Sequence, residues 1–232
     1  KLIGYFQGST APGRAADQTL LRTMIPERAR RAYPVAPLIR TLADEESVTF
    51  LRERFAPEMV TALARIEGRA VGIIANNTMV MAGAITARAA DKAARFLQLC
   101  DTFGIPVVSL IDCPGYMVGP AAEAEALVRR ASRLLVAGAA LRVPLVAVVL
   151  RRGYGLGAQA MAAGNFHAPM FTVSWPTGEF GPMGLEGAVR LGQNESNVRA
   201  GAANGEQGLS IEVIGMVVAG GDPVDEGQSL RS

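Results

Sequence analysis

The residues best suited to chemistry in this sequence are glycines, set in two turns. One is Gly153-Tyr-Gly155-Leu-Gly157 and the other Asp112-Cys-Pro-Gly115-Tyr116-Met-Val-Gly119. Without Cβ atoms, such turns bend sharply and let a ligand approach the backbone N–H groups closely. Each follows an apolar run of buried-strand character, residues 143–150 and 105–111, and each precedes a helix-compatible stretch. A helix over residues 158–163 would direct its first unpaired N–H donors back into the glycine turn, where they favour negative charge on oxygen. Two such turns in successive repeats could present amides to a single cleft.

Side-chain catalysts are scarce by comparison. His167 is the sole histidine and reads as structural. Ser174 precedes Trp175-Pro176 and lacks the Gly-x-Ser-x-Gly elbow of a serine hydrolase. Cys113 stands at a strand end beside glycine, a place for a nucleophile, but burial is the favoured reading in the absence of a positioned histidine. Asp112, Glu179 and Glu186 could act as acids or bases; capping, turn bonding or exposure is the expected use of each. Met79, Met81 and Met183 read as packing residues. The spacing Gly155-x-Gly157-x-x-Ala160 fits a dinucleotide fingerprint, yet it lies late in the chain, and Glu179 follows a loop where a strand-end acid is required. What remains is catalysis by backbone amides, which suits a reaction passing through an enolate.

The elements that must position these turns can be read in order. Residues 1–31 look like a connecting arm, residues 37–43 a short helix and residues 48–55 a strand. Residues 59–66 and 70–75 form a hairpin across Glu67-Gly68. A helix over residues 89–103 carries Ala93, Phe96, Leu97 and Cys100 on one face and ends at Gly104. Residues 121–141 are expected to form the longest helix, and residues 169–174 a last strand. The order of hairpin, helix, strand, helix, strand, helix, strand predicts an α/β fold with its ligand site at the strand-to-helix turns.

Composition narrows the function further. Of 232 residues, 50% are hydrophobic and 19% charged, ordinary for a buried-sheet α/β protein. A net charge of +2 gives no electrostatic case for nucleic acid, and Arg28-Ala-Arg30-Arg31 reads as a solvated face. Cys100 and Cys113 provide neither a disulfide framework nor metal-ligand spacing, so no metal is expected and a reducing cytoplasm is. No apolar run reaches the roughly 18–20 residues of a membrane span. Opening on Lys1-Leu-Ile-Gly, the chain reads as a piece of something longer.

Several stretches, in order, carry a family resemblance. They are Ile66-Glu-Gly-Arg-Ala-Val-Gly-Ile-Ile-Ala-Asn-Asn, Ala90-Asp-Lys-Ala-Ala-Arg-Phe and Ile105-Pro-Val-Val-Ser-Leu-Ile-Asp-Cys-Pro-Gly-Tyr. Arg152-Gly-Tyr-Gly-Leu-Gly-Ala-Gln-Ala-Met, Trp175-Pro-Thr-Gly-Glu and Met183-Gly-Leu-Glu-Gly-Ala-Val follow. Over residues 33–192 the chain resembles the C-terminal half of the carboxyltransferase subunit of biotin-dependent acyl-CoA carboxylases. The resemblance implies a crotonase-type spiral of ββα repeats and transfer of a carboxyl group from carboxybiotin to the α-carbon of an acyl-CoA. It divides the chain into an arm and domain start at 1–57, a carboxyltransferase core at 58–192 and an atypical tail at 193–232.

The resemblance also implies site residues. The backbone N–H groups of Leu156 and Gly157 match the family's biotin oxyanion hole, although Leu156 stands where a small residue is usual. Gly115 and Tyr116 match the preceding turn of the same biotin-facing cleft, Gly155 and Ala158 flank the oxyanion hole, and Gln159 matches a position that helps select acyl-chain length. The implied cofactor is biotin, carried as carboxybiotin on a biotin carboxyl carrier, with a biotin carboxylase subunit as partner. The second oxyanion hole and most CoA contacts belong to the family's N-terminal half, and the site forms between subunits of a homo-oligomer built from dimers. The tail departs from the family: Ile211-Glu-Val-Ile-Gly and Gly221-Asp-Pro-Val-Asp match its ending only loosely, as if the sequence were truncated or lacked residues there. Competing readings are another crotonase-fold acyl-CoA enzyme, such as a hydratase, isomerase or decarboxylase, and a non-catalytic assembly subunit.

Overall fold

In the computed structural model, residues 2–8, 10–11, 13–28, 31–184 and 189 are described. The elements run α1 (Leu21–Met24), α2 (Val35–Leu42), β1 (Thr49–Leu51), β2 (Met59–Ile66), β3 (Arg69–Asn76), α3 (Ala87–Thr102), β4 (Val107–Cys113), α4 (Pro120–Ala124), α5 (Leu127–Ala139), β5 (Leu145–Tyr154), α6 (Gly155–Met161), β6 (Phe171–Ser174) and β7 (Glu179–Gly181). They build one seven-stranded sheet in the order β1-β2-β3-β4-β5-β6, with β7 also pairing β5. The first three strands are antiparallel and the rest parallel.

The expected hairpin forms as the sequence dictates. Ile66 pairs with Arg69 across Glu67 and Gly68, whose φ values of 51° and 77° are those of a tight turn matched to strand twist. A Cβ on Gly68 would lie 2.2 Å from the Thr10 carbonyl oxygen, so the amino-terminal arm seats directly on that turn.

Alternation along the strands sends side chains to two cores. Met59, Leu63, Ile74, Ile111, Ala147 and Val149 face the layer made by α3, α5 and α6, while Ala62, Ile73, Leu110 and Leu150 face the layer of α2 and the arm. Alanines 89, 90, 93 and 94 of α3 are all buried, and their small side chains let the helix lie close to its neighbours. Thr86 caps this helix by accepting from the Ala89 N–H at 3.1 Å.

Four expectations are corrected by the fold. The stretch 121–141 is two helices, because Ala126 adopts φ 56° and breaks the ladder between α4 and α5; among the described residues the longest helix is α3, with 16 residues. Gly153 belongs to β5, and α6 begins at Gly155, so the turn is tighter than expected. The arm is more than a connector: Tyr5, Leu21, Ile25 and Tyr33 are buried, and β1 joins the sheet on Thr61 to Leu63. Met79 and Met81 are 58% and 57% exposed, and Met183 is 40% exposed, so none of the three is a packing residue. The tail at 193–232, like Glu186, lies outside the described residues.

Candidate active site

Both glycine turns leave the sheet at the carboxyl ends of adjacent parallel strands, β4 and β5. They touch. A Cβ on Gly157 would lie 2.8 Å from the Gly115 carbonyl carbon, closer than real Cβ atoms come, and 3.0 Å from both the Gly115 Cα and the Cys113 Sγ. Only glycine at 157 permits the start of α6 to rest on the backbone of the other turn. Gly115, at φ 128°, also occupies a conformation that favours glycine.

The Gly115 turn is fixed from its other side. Its carbonyl accepts from the Ile85 N–H at 3.0 Å, and the Met117 N–H donates to the Ile85 carbonyl at 2.9 Å. Residues 155–157 form the first turn of α6; no side chain caps them, and first-turn N–H groups have no acceptor within their own helix. Leu156 is 64% exposed, Gly157 and Ala158 are buried, and Gln159 is half-buried. The N–H groups of Leu156 and Gly157 thus flank an exposed apolar side chain, with Gly157 itself buried. Tyr116 carries a buried hydroxyl without a partner among the described residues, and burial pushes its phenol above the ordinary tyrosine range.

The other sequence candidates take structural places, Cys113 and Glu179 against the turns and His167 and Ser174 in loops and bonds of their own. Burial pushes the Cys113 thiol up to about 12, so it stays protonated and packs beneath Gly157 instead of attacking a substrate. His167 lies exposed in the loop after α6, its N–H donating to the Asn165 side chain at 2.8 Å. Ser174 donates its hydroxyl to the Trp175 carbonyl. Glu179 accepts from the Tyr154 hydroxyl, which burial first, and then this carboxylate, pushes up to about 12. Among the described residues no group of three or more His, Cys, Asp or Glu could hold a metal. Cavities of about 640 and 200 Å³ lie beside the arm at Arg22 and Pro26 and beside β1 at Phe50, away from the turns.

Asp112 corrects the expectation of a cap or a surface residue. It is fully buried, with one oxygen 2.8 Å from the Arg151 Nε and the other 2.7 Å from the Arg152 Nε. Arg151, itself 2% exposed, also donates to the carbonyls of Arg28 and Arg31 and lies 4.7 Å over the Tyr33 ring. The sequence signal for this cluster, an acid and an Arg pair on adjacent parallel strands, was present but invisible without the strand register.

With two amide-bearing turns joined at one sheet end, comparison with known proteins decides the family. The carboxyl transferase domain family matches residues 6–206. The chain belongs to it. This family membership carries the crotonase-type α/β fold expected from the resemblance. The chain is 36% identical over 185 residues to the propionyl-CoA carboxylase beta chain of Saccharopolyspora erythraea, covering 80% of this chain and 34% of that one. It is 38% identical over 195 residues to the biotin-dependent acetyl-/propionyl-coenzyme A carboxylase beta6 subunit of Mycobacterium bovis, covering 82% and 41%. Among solved structures, a single-chain, multi-domain long-chain acyl-CoA carboxylase superposes with TM-score 0.81 at 51% identity, over 87% of this chain and 22% of that one. The transcarboxylase 12S hexamer, with hydrolysed methylmalonyl-coenzyme A bound, superposes with TM-score 0.75 at 34% identity, over 81% and 37%. This carboxyl transferase domain therefore spans about a third to two fifths of the length of these curated relatives. No helix among the described residues is long and apolar enough to cross a membrane.

Proposed function

We propose that this chain supplies the biotin-facing half of an acyl-CoA carboxyltransferase site. The observation that carries the reading is the seating of Gly157 on Gly115, which joins the uncapped first turn of α6 to the backbone of the Gly115 turn. The N–H groups of Leu156 and Gly157 hold negative charge on the biotin carbonyl oxygen, a charge that develops as the carboxyl group leaves. Gly155 and Ala158 shape this turn, Gly115 and Tyr116 line the facing wall, and Gln159 meets the acyl chain. The residues fit such a ligand: the first-turn amides lack internal acceptors, and no side chain stands between the two glycine backbones. Carboxybiotin, when bound, supplies the carboxyl group and the base that removes the substrate's α-proton.

The rest of the site comes from elsewhere in this proposal. A family N-terminal half, on another subunit of a homo-oligomer built from dimers, contributes the second oxyanion hole and the CoA contacts. A biotin carboxyl carrier, loaded by a biotin carboxylase subunit, delivers the carboxyl group. The setting is the cytoplasm, in keeping with two buried, free thiols at Cys100 and Cys113.

The test is methylmalonyl- or malonyl-CoA-dependent carboxylation of free biotin, the reverse half-reaction, by the chain alone and with a family N-terminal half added. Activity is expected only in the mixture and should fall by at least about 10²–10³-fold in Gly157→Pro, which removes one donor and also drives a Cβ against the Gly115 backbone. Absence of transfer in the mixture, or full activity in Gly157→Pro, overturns the reading; turnover of an enoyl-CoA without biotin would replace it with hydratase chemistry.

A further inference from the structure

Beneath the two turns, β5 departs from regular pairing. Ile111 pairs with Val149, but Cys113 pairs with Gly153, so three residues of β5 stand opposite Asp112 alone. In a regular strand Arg151 and Arg152 would point to opposite faces. The bulge instead brings both guanidinium groups to the one carboxylate of Asp112.

The two arginines then reach different segments. Arg151 turns toward the arm, while the Arg152 Nη2 donates to the Ala82 carbonyl at 2.7 Å. Ala82 lies in a run of three left-handed residues, Met81, Ala82 and Gly83, at φ 47°, 54° and 82°. Two of these are not glycine, a conformation that persists only where the surroundings impose it. A second restraint comes from Asn76, whose side chain donates to the Gly83 carbonyl at 2.9 Å and accepts from the Asp112 N–H at 3.2 Å. Two residues further on, Ile85 carries the paired bonds that hold the Gly115 turn.

We infer that Arg152 is a positioning residue for the amide surface: through Asp112 and Ala82 it holds the 81–85 segment and the end of β4 in register, and so fixes Gly115 under Gly157. The planar guanidinium is suited to this because it donates in two directions at once, to a carboxylate from Nε and to a carbonyl from Nη2. A lysine offers one ammonium at one place. The positioning role rests on the proposed carboxyltransferase reading for its functional meaning, while its structural content stands on the bonds themselves.

Cys113 gives a readout independent of activity. It is fully buried, with Gly157 and Gly115 over its sulfur, whereas Cys100 is buried separately against Gly72 and Phe96. The experiment labels the full chain with N-ethylmaleimide and locates the adduct by mass spectrometry, in wild type, Arg152→Gln, Arg152→Lys and, as a control, Arg142→Gln. In Arg152→Gln, labelling of Cys113 is expected to rise at least about tenfold through local opening, with Cys100 still protected. Arg152→Lys is expected to lie between, and Arg142→Gln to match wild type.

With the N-terminal half added, kcat for biotin carboxylation in Arg152→Gln should fall about tenfold or more at near-constant KM, out of proportion to any loss of folded protein. Unchanged Cys113 protection in Arg152→Gln overturns the positioning role, as does simultaneous labelling of both cysteines, which would make the residue merely structural. If Arg152→Gln does not fold, the same two outcomes in Arg152→Lys decide. Faster Cys113 labelling in a system whose wild type transfers no carboxyl group would leave Arg152 as the holder of the turn and refute the carboxyltransferase reading alone.

Discussion

Lys92 and Arg151 are both buried to 2% exposure, and the molecule accommodates the two charges by different means. Lys92, on α3, donates to the carbonyls of Arg52, Phe55 and Ala56 at 2.9, 2.8 and 3.3 Å and so closes one local loop before β2. Burial pulls its ammonium down from 10.5 to about 8. Arg151 meets a carboxylate, shares it with Arg152, and joins β4, β5 and the arm. A guanidinium keeps its charge throughout the physiological range. The lysine cage is a clamp that can titrate; the arginine cluster is one that cannot, and it is the cluster that underlies the amide surface.

That contrast can be broken at its stronger side first. Asp112→Asn leaves one buried and one partly buried guanidinium group facing a neutral amide, and should cost about 3–5 kcal/mol, read as a lower urea midpoint. An unchanged midpoint would mean that the arginines find other partners.

Lys92→Met removes charge and donors together: the Phe55 carbonyl loses its donor, the Arg52 and Ala56 carbonyls keep the Phe55 and Met59 N–H groups, and the burial of an ammonium is relieved, for a net loss of about 1–3 kcal/mol in the same assay. Its pH dependence sharpens the comparison. Between about pH 8 and 10.5 the folded chain has released the Lys92 proton while the unfolded chain retains it, so stability rises with pH in this window. Wild type should gain on Lys92→Met between pH 8 and 10, and stay parallel to it below pH 7. Parallel curves throughout would show that the carbonyls offset the burial. The smallest effect belongs to the surface: Arg142→Gln breaks the ion pair of an 81%-exposed Arg142 side chain with Asp101 and should change stability by less than about 1 kcal/mol.

Local rules made the hairpin, the ends of α3 and the two glycine turns legible in the sequence. Glu67-Gly68 and Gly104 announce their conformations by residue type. Nothing comparable marks the break at Ala126, since alanine is a good helix former and its left-handed φ comes from the path the chain must take between α4 and α5. Motif order suggests Leu156 and Gly157 as the proposed oxyanion residues, and Gly157 could be suspected of close approach. Its actual neighbour, Gly115, depends on which strands are adjacent. The Asp112 cluster depends on a bulge, and a bulge has no signature in Leu150-Arg-Arg-Gly153. Met79 and Met81 looked like core residues by type, but the left-handed turn that begins at Met81 leaves them facing solvent.

The seating of the arm has a consequence for how the chain comes to be folded. The carbonyls of Arg28 and Arg31 meet Arg151 across separations of 123 and 120 residues, whereas the hairpin closes within a turn of two. Closing so long a loop carries an entropy cost that is recovered only once β5 stands beside β4. During synthesis, the segment that leaves the ribosome early must therefore wait for one made much later. The backbone at Arg28 and Arg31 is expected to settle late, after Gly4 and Thr10 have met Arg65 and Gly68 of the hairpin.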